Sequence, residues 1–135
     1  MNVLVDTSVW SLALRRDAPR GAAEERELIE LIREDRVVLT GPVRQELLSG
    51  VRTTPQFELL RTRLRAFPDV ILGPGDYEEA ALCFNRCRAK GIQGSNTDFL
   101  LCAISLSRGL AIFTTDKDFL GFRKVLHVKL HVPRG

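Results

Sequence analysis

Short aliphatic runs alternate with longer amphipathic ones along this chain. Val3–Val5 is a purely apolar triplet, residues 37–39 and 70–72 are two more, and residues 110–113 and 126–132 add two further apolar stretches. Runs this short, bounded by polar and turn residues, predict strands. Between them the apolar positions recur at three-and-four spacing, which predicts helices. Residues 23–34 carry Leu28, Leu31 and Ile32 in that pattern, Phe57, Leu60, Leu64 and Phe67 repeat it, and residues 97–108 form a strongly apolar segment that Gly109 ends. Pro42 stands where a first helical turn tolerates it, and Gly50 closes the short helix that holds Glu46. Gly73, Pro74 and Gly75 mark a break. Asp76 and Glu79 then resemble a capping box for a helix that reaches Lys90 and stops at Gly91. After the loop GIQGSN and the apolar helix, residues 116–122 are expected to form a short turn or helix and residues 126–132 a last strand.

Strands separated by helices favour a parallel sheet, because parallel neighbours need a crossover and the helix supplies it. The expectation is an α/β fold of three layers, α/β/α, with a mostly parallel central sheet and one domain over residues 1–135. A chain of 135 residues buries about two thirds of its unfolded surface. Apolar residues at 44% and charged residues at 27% are usual for a globular domain. No apolar run approaches the roughly 20 residues of a membrane span. The first residues lack a cationic start and Asp6 interrupts the early apolar run, so a cytoplasmic location is expected.

Three cysteines, an odd number, argue against a disulfide framework. Cys83 and Cys87 have no companion Cys or His pair at zinc-site spacing, which leaves them as small core residues. The net charge of +3 attracts a polyanion only weakly. Arginines cluster at Arg15, Arg16 and Arg20, at Arg61, Arg63 and Arg65, and at Arg86 and Arg88 beside Lys90. Each cluster reads either as a solvated helix face or as a rim that meets an anionic ligand. Arg61, Arg63 and Arg65 cannot all face one ligand from a helix, since a spacing of two does not line residues up on one side.

The acids carry the chemistry. Asp6 follows the first strand, Glu46 lies in the helix after the second, and Asp116 follows the strand at residues 110–113. Groups beyond the carboxyl ends of parallel strands share one crevice, the usual ligand site of such sheets, and Asp98, opening a helix after a loop, is placed to face it. Four carboxylates gathered there repel one another unless protons or cations sit among them. An all-oxygen set without histidine or thiolate suits Mg²⁺ or Mn²⁺ rather than zinc, and such sites hydrolyse phosphodiesters with water as the nucleophile. Each acid also has a plain structural reading: Asp6 as a helix cap, Glu46 as a surface residue, Asp98 as a complement to its helix dipole, Asp116 and Asp118 as turn residues.

VLVDTSVW at the start, PVRQELLSG in the middle, NTDFLLCAISL later and IFTTDKDF near the end together resemble the PIN-domain family, in particular the VapC-type ribonuclease toxins of toxin-antitoxin pairs. The resemblance runs in order from Asn2 to about Val132. It implies an Mg²⁺- or Mn²⁺-dependent endoribonuclease that leaves a 5′-phosphate and a 3′-hydroxyl. It puts the family's acids on Asp6, Glu46, Asp98 and Asp116, as catalytic groups and metal ligands. Thr7 and Thr115 match supporting hydroxyls, and Asp118 matches the second acid of the D-x-D-F stretch. Cys102 departs from the family's usual alanine, a difference of packing. Asn96 contacts a substrate phosphate or bounds a turn. The implied partners are an RNA substrate, a second copy of the chain, and a small antitoxin that covers the acidic crevice. An electronegative site needs a basic rim to attract RNA, for which Arg15, Arg16, Arg86 and Arg88 are the candidates.

Other functions remain open at this stage. A PIN nuclease of RNA processing that is no toxin would carry the same residues. A phosphatase with an aspartyl nucleophile also places D-T-S after a first strand, with Lys117 as its only nearby lysine. A binding module would hold a structural ion or pair its acids with arginines. His127 and His131, four apart on the expected last strand, would share a face and lie outside the acid motifs.

Overall fold

The structure is a computed structural model, and it describes residues 1–14 and 21–135. Arg15, Arg16 and Arg20 lie outside the described residues. In chain order the elements are β1 (Val3–Val5), α1 (Thr7–Leu14), α2 (Ala23–Arg33), β2 (Val37–Val38), α3 (Gly41–Leu48), α4 (Thr54–Leu64), α5 (Pro74–Ala89), α6 (Asn96–Arg108), β3 (Ala111–Phe113) and α7 (Asp118–Leu126). The three strands form a parallel sheet in the order β2-β1-β3. Val3 faces Val37 on one side and Ala111 on the other, and Val5 faces Phe113. Strands buried on both faces read as continuous apolar runs, and Val3, Leu4 and Val5 are each 1% exposed. This is the three-layer α/β/α arrangement that the alternation of patterns predicts.

Single parallel bridges extend the sheet at both edges, Leu39 to Asp69 and Ile112 to Leu130. Both depart from expectation. Residues 70–72 form no strand; the Val70 N–H donates to the Leu39 carbonyl and the chain then leaves the sheet. Residues 126–132 are not a strand either. The alternation in LHVKLHV competes with Phe119, Phe122 and Leu126 at helical spacing, and burying those three wins: all are at most 3% exposed, and α7 runs to Leu126 before His127 turns the chain at φ 60°. Only Lys129 and His131 then bond to β3, through Ile112. The two histidines therefore share no strand face. His127 ends the helix, and His131 Nε2 lies 2.6 Å from Glu27 Oε2. Glu27 is 4% exposed. Its carboxyl is held below the usual range, although burial alone would raise it, because His131 and Arg134 hydrogen-bond to it.

Helix α5 begins earlier than the D-x-x-E reading places it. Pro74 occupies the first turn, where its fixed φ is pre-organised and its missing N–H costs nothing. The Asp76 carboxylate reaches back to the Gly73 N–H at 2.8 Å, so Asp76 is the third residue of the helix rather than its cap. Arg108 clamps Asp76 with both of its terminal nitrogens, at 2.7 and 3.2 Å, which ties the end of α6 to the start of α5. Cys83, Cys87 and Cys102 are free, buried thiols in this packing, and burial pushes all three up from the ordinary thiol range. Among the described residues no helix is long and apolar enough to cross a membrane.

Candidate active site

Asp6 is the residue at which β1 becomes α1. Its N–H donates to the Phe113 carbonyl at 2.9 Å, carrying the ladder one step past the strand, and its own carbonyl accepts from Val9 and Trp10, starting the helix. The side chain is 7% exposed. A buried carboxylate needs donors, and two hydroxyls supply them. Ser8 Oγ and Thr114 Oγ1 each donate to Asp6 Oδ2 at 2.8 Å. Each hydroxyl accepts in turn from a backbone N–H, Ser8 from Thr115 at 3.1 Å and Thr114 from Asp116 at 3.0 Å. The loop after β3 is thus fastened to the start of α1. Among the described residues no donor engages Asp6 Oδ1.

Asp116, half-buried, is oriented from both sides: its N–H is held by Thr114, and its Oδ1 accepts from the Asp118 N–H at 2.9 Å. Asp118 contributes that N–H while its own carboxylate is exposed. Asp98 sits in the third position of α6 in a reciprocal box with Ser95. The Ser95 N–H donates to Asp98 Oδ2 at 3.0 Å and the Asp98 N–H donates to Ser95 Oγ at 3.1 Å. Burial pushes the Asp98 carboxyl up, the two Ser95 bonds oppose this, and the negative charges of Asp6 and Asp116 add to the rise. Asp98 therefore feels the charges of two acids from distant stretches of the chain. Glu46 is at their margin, exposed on α3 and joined to the group through Thr7, whose hydroxyl donates to Glu46 Oε2 at 3.4 Å.

Several supporting groups differ from those the sequence suggests. Thr114, not Thr115, reaches Asp6 with its hydroxyl; Thr115 offers its N–H to Ser8. Ser95 and Ser8 hold two of the acids, and neither stands out in the sequence. Gly94, just before Ser95, is another. A Cβ there would stand 2.5 Å from Phe122 Cζ and 3.0 Å from Phe99 Cε2, so only glycine lets the loop lie on these rings. Arg86 and Arg88, two apart on α5, diverge: Arg86 donates to the Val125 carbonyl at 3.3 Å, and the Arg88 guanidinium lies over Phe84, 5.6 Å from the ring centre. Asn96 and Thr97 open α6 and border a groove of about 510 Å³ with Pro42, Tyr77, Ala81 and Leu100. Lys117 is exposed and forms no ion pair among the described residues.

Among the described residues no three His, Cys, Asp or Glu side chains form a ready-made metal cage. The donor chemistry nonetheless fits a hard cation: the ligating atoms on offer are carboxylate and hydroxyl oxygens, Asp6 Oδ1 is unengaged, and the repulsion at Asp98 is what a positive charge would relieve.

Comparison with known proteins bears on the fold and the family. Over the full length the fold is similar to three solved structures: FitAcB from Neisseria gonorrhoeae (20% identity, 97% of each chain covered, TM-score 0.72), VapBC2 from Rickettsia felis bound to a DNA fragment from their promoter (14% identity, 97% of this chain and 98% of that, TM-score 0.75), and a toxin-antitoxin complex from Klebsiella pneumoniae (17% identity, 98% of each, TM-score 0.63). No curated protein matches the sequence. The family description "PIN domain" matches residues 3–125. With the parallel sheet, the converging acids and that match over nearly all of its length, the chain belongs to the PIN-domain family of nucleases.

Proposed function

We propose that this protein is an Mg²⁺- or Mn²⁺-dependent endoribonuclease acting as the toxin of a toxin-antitoxin pair. The observation that carries the reading is that one hydroxyl, Thr114, bonds both the Asp6 carboxylate and the Asp116 N–H, with Asp98 close enough to feel both charges. These three, with Glu46 at the rim, would hold the ion, which when bound supplies Lewis-acid activation of water and neutralises charge on the scissile phosphate. The protein's own contribution is orientation. Ser8 and Thr114 fix Asp6, Ser95 fixes Asp98, the Asp118 N–H fixes Asp116, and Thr7 reaches Glu46, so the acids are arranged before substrate arrives. Histidine base catalysis through a 2′-hydroxyl has no support here, since His131 is bonded to Glu27 and His127 ends α7. Water attack, leaving a 5′-phosphate and a 3′-hydroxyl, fits the site better.

One of the similar structures is a toxin-antitoxin complex, which supports an antitoxin as partner. A groove bordered by Thr7, Ser11, Leu14, Glu46, Val51 and Leu60 runs from Glu46 between α1 and α3 towards α4, and is where its covering segment would lie.

The test is cleavage of total RNA by the purified protein with Mg²⁺ or Mn²⁺ and with chelator, comparing Asp6→Asn and Asp98→Asn with the parent. Activity should require the ion and fall by several orders of magnitude in both variants while they remain folded. Cleavage without metal, or variants as active as the parent, would contradict the proposal.

A further inference from the structure

A smaller cleft of about 200 Å³ opens at the start of α6, lined by Phe84, Arg88, Ile92, Gln93, Gly94 and Phe99. Its position follows from the fold. Its floor is Phe99, the residue after Asp98, and one wall is the loop that carries Gly94 into Ser95 and so into the Asp98 box. Phe84 meets Phe99 edge to face, with ring centres 5.4 Å apart, and Arg88 lies over Phe84.

Arg88 has no carboxylate partner among the described residues. Arg33, Arg36, Arg44, Arg61, Arg108 and Arg134 all do. An exposed arginine without an acid, its guanidinium carbon 5.6 Å from the centre of the Phe84 ring, presents a planar cation to solvent. Gln93 is exposed at the rim, and among the described residues its amide bonds to nothing. A planar cation backed by a ring, with an amide beside it, is the chemistry that binds an unstacked base: π-stacking holds it and an amide reads its edge.

We infer that this cleft is a nucleobase subsite for single-stranded RNA, in which a base stacks on the Arg88 guanidinium and is met by the Gln93 amide. Holding a base next to Asp98 fixes which phosphate lies over the acids, so the subsite sets cleavage register. This rests on the ribonuclease reading above.

The experiment measures binding rather than cleavage. A short fluorescein-labelled single-stranded RNA of mixed sequence, and its counterpart with abasic riboses, are titrated by anisotropy without divalent ion against the full chain, Arg88→Lys, Arg88→Ala and Gln93→Ala. Arg88→Lys keeps the charge and loses the plane. Both Arg88 variants should therefore bind the intact RNA about 5- to 150-fold more weakly, while parent and Arg88→Lys should bind the abasic RNA nearly alike and Arg88→Ala should lose there only what one missing charge costs. All these residues are exposed, so folding should survive. If Arg88→Lys binds like the parent, or the loss is the same on abasic RNA, Arg88 is only a phosphate contact and the subsite is overturned while the nuclease reading stands. If the parent binds no RNA, both readings fall.

Discussion

Gly94→Ala is a one-carbon change whose consequence can be worked from distances. The added Cβ would stand 2.5 Å from Phe122 Cζ, 2.9 Å from Phe122 Cε1 and 3.0 Å from Phe99 Cε2. Carbon atoms rest about 3.5–4.0 Å apart, so something must move by about 1 Å. The rings cannot easily yield, since Phe99 and Phe122 are 1% and 0% exposed and pack on each other with centres 4.8 Å apart. Overpacking of this kind costs about 1–3 kcal/mol, a fall of about 3–15 °C in melting temperature for a domain of this size. The loop gives way more readily than the rings, and it carries Ser95. A shift of about 1 Å there breaks the bond from the Ser95 N–H to Asp98 Oδ2, now 3.0 Å, and misplacement on that scale costs about 100-fold in rate. The assay pairs thermal unfolding with RNA cleavage kinetics. Gly94→Ala should lower kcat far more than it changes KM. Adding Phe122→Leu, which removes the Cε and Cζ atoms in the way, should restore kcat towards that of Phe122→Leu alone. A Gly94→Ala protein with parental stability and kcat would refute the reasoning, as would a double variant no better than the single one.

Ser8→Ala and Thr114→Val each take one of two donors from the buried Asp6 carboxylate, and each should cost about 1–3 kcal/mol in urea unfolding and lower kcat; parental values for both would show that Asp6 does not depend on them. Asp76 is held at about 2, first by Arg108 and then by the Gly73 N–H. Because its folded value lies below the unfolded one of about 3.9, its stabilisation is complete above that value and is lost as pH falls towards 2, so Asp76→Asn should unfold at lower urea than the parent at neutral pH and at nearly the same urea near pH 2. A gap independent of pH would rule the ion pair out as its source. Asp98→Asn removes a charge that Asp6 and Asp116 oppose, so it should melt at or above the parental temperature without metal and lose the stabilisation that Mg²⁺ or Mn²⁺ gives the parent; an equal metal-induced rise in both proteins would exclude Asp98 as a ligand.

The fold was legible where one periodicity prevailed. Val3–Val5 has no polar residue to compete with its burial, and α6 combines a serine cap, an apolar stripe and Gly109 in the left-handed conformation, so all its signals agree. The reading failed where two patterns overlapped. Leu126 belongs both to an alternating LHVKLHV and to the Phe119, Phe122, Leu126 helical stripe, and packing chose the stripe. The sheet edges failed for another reason: a single bridge, such as Ile112 to Leu130, leaves too short a trace in the pattern to be told from a loop.

The positions of Asp6, Asp98 and Asp116, the candidate acids, were legible because each stands at a strand end or a helix opening, where a charge is locally costly or idle. The groups that hold them were not, because a hydroxyl costs little wherever it lies and its partner is set only by the fold. Ser8 and Thr114 are 106 residues apart in the chain and meet on one oxygen of Asp6. Local pattern cannot distinguish Thr114 from Thr115; the strand can, since side chains alternate at successive positions and Thr114 turns inward to Asp6 while Thr115 faces out. The same geometry explains how a carboxylate that is 7% exposed is tolerated before any ion arrives. Its inner oxygen is satisfied by two hydroxyls, each held by a backbone N–H, and the charge that remains is carried by the other oxygen. In the proposed metal-dependent reading, a site built this way would stay folded when empty and keep a ligand atom ready, which a carboxylate satisfied on both oxygens would not.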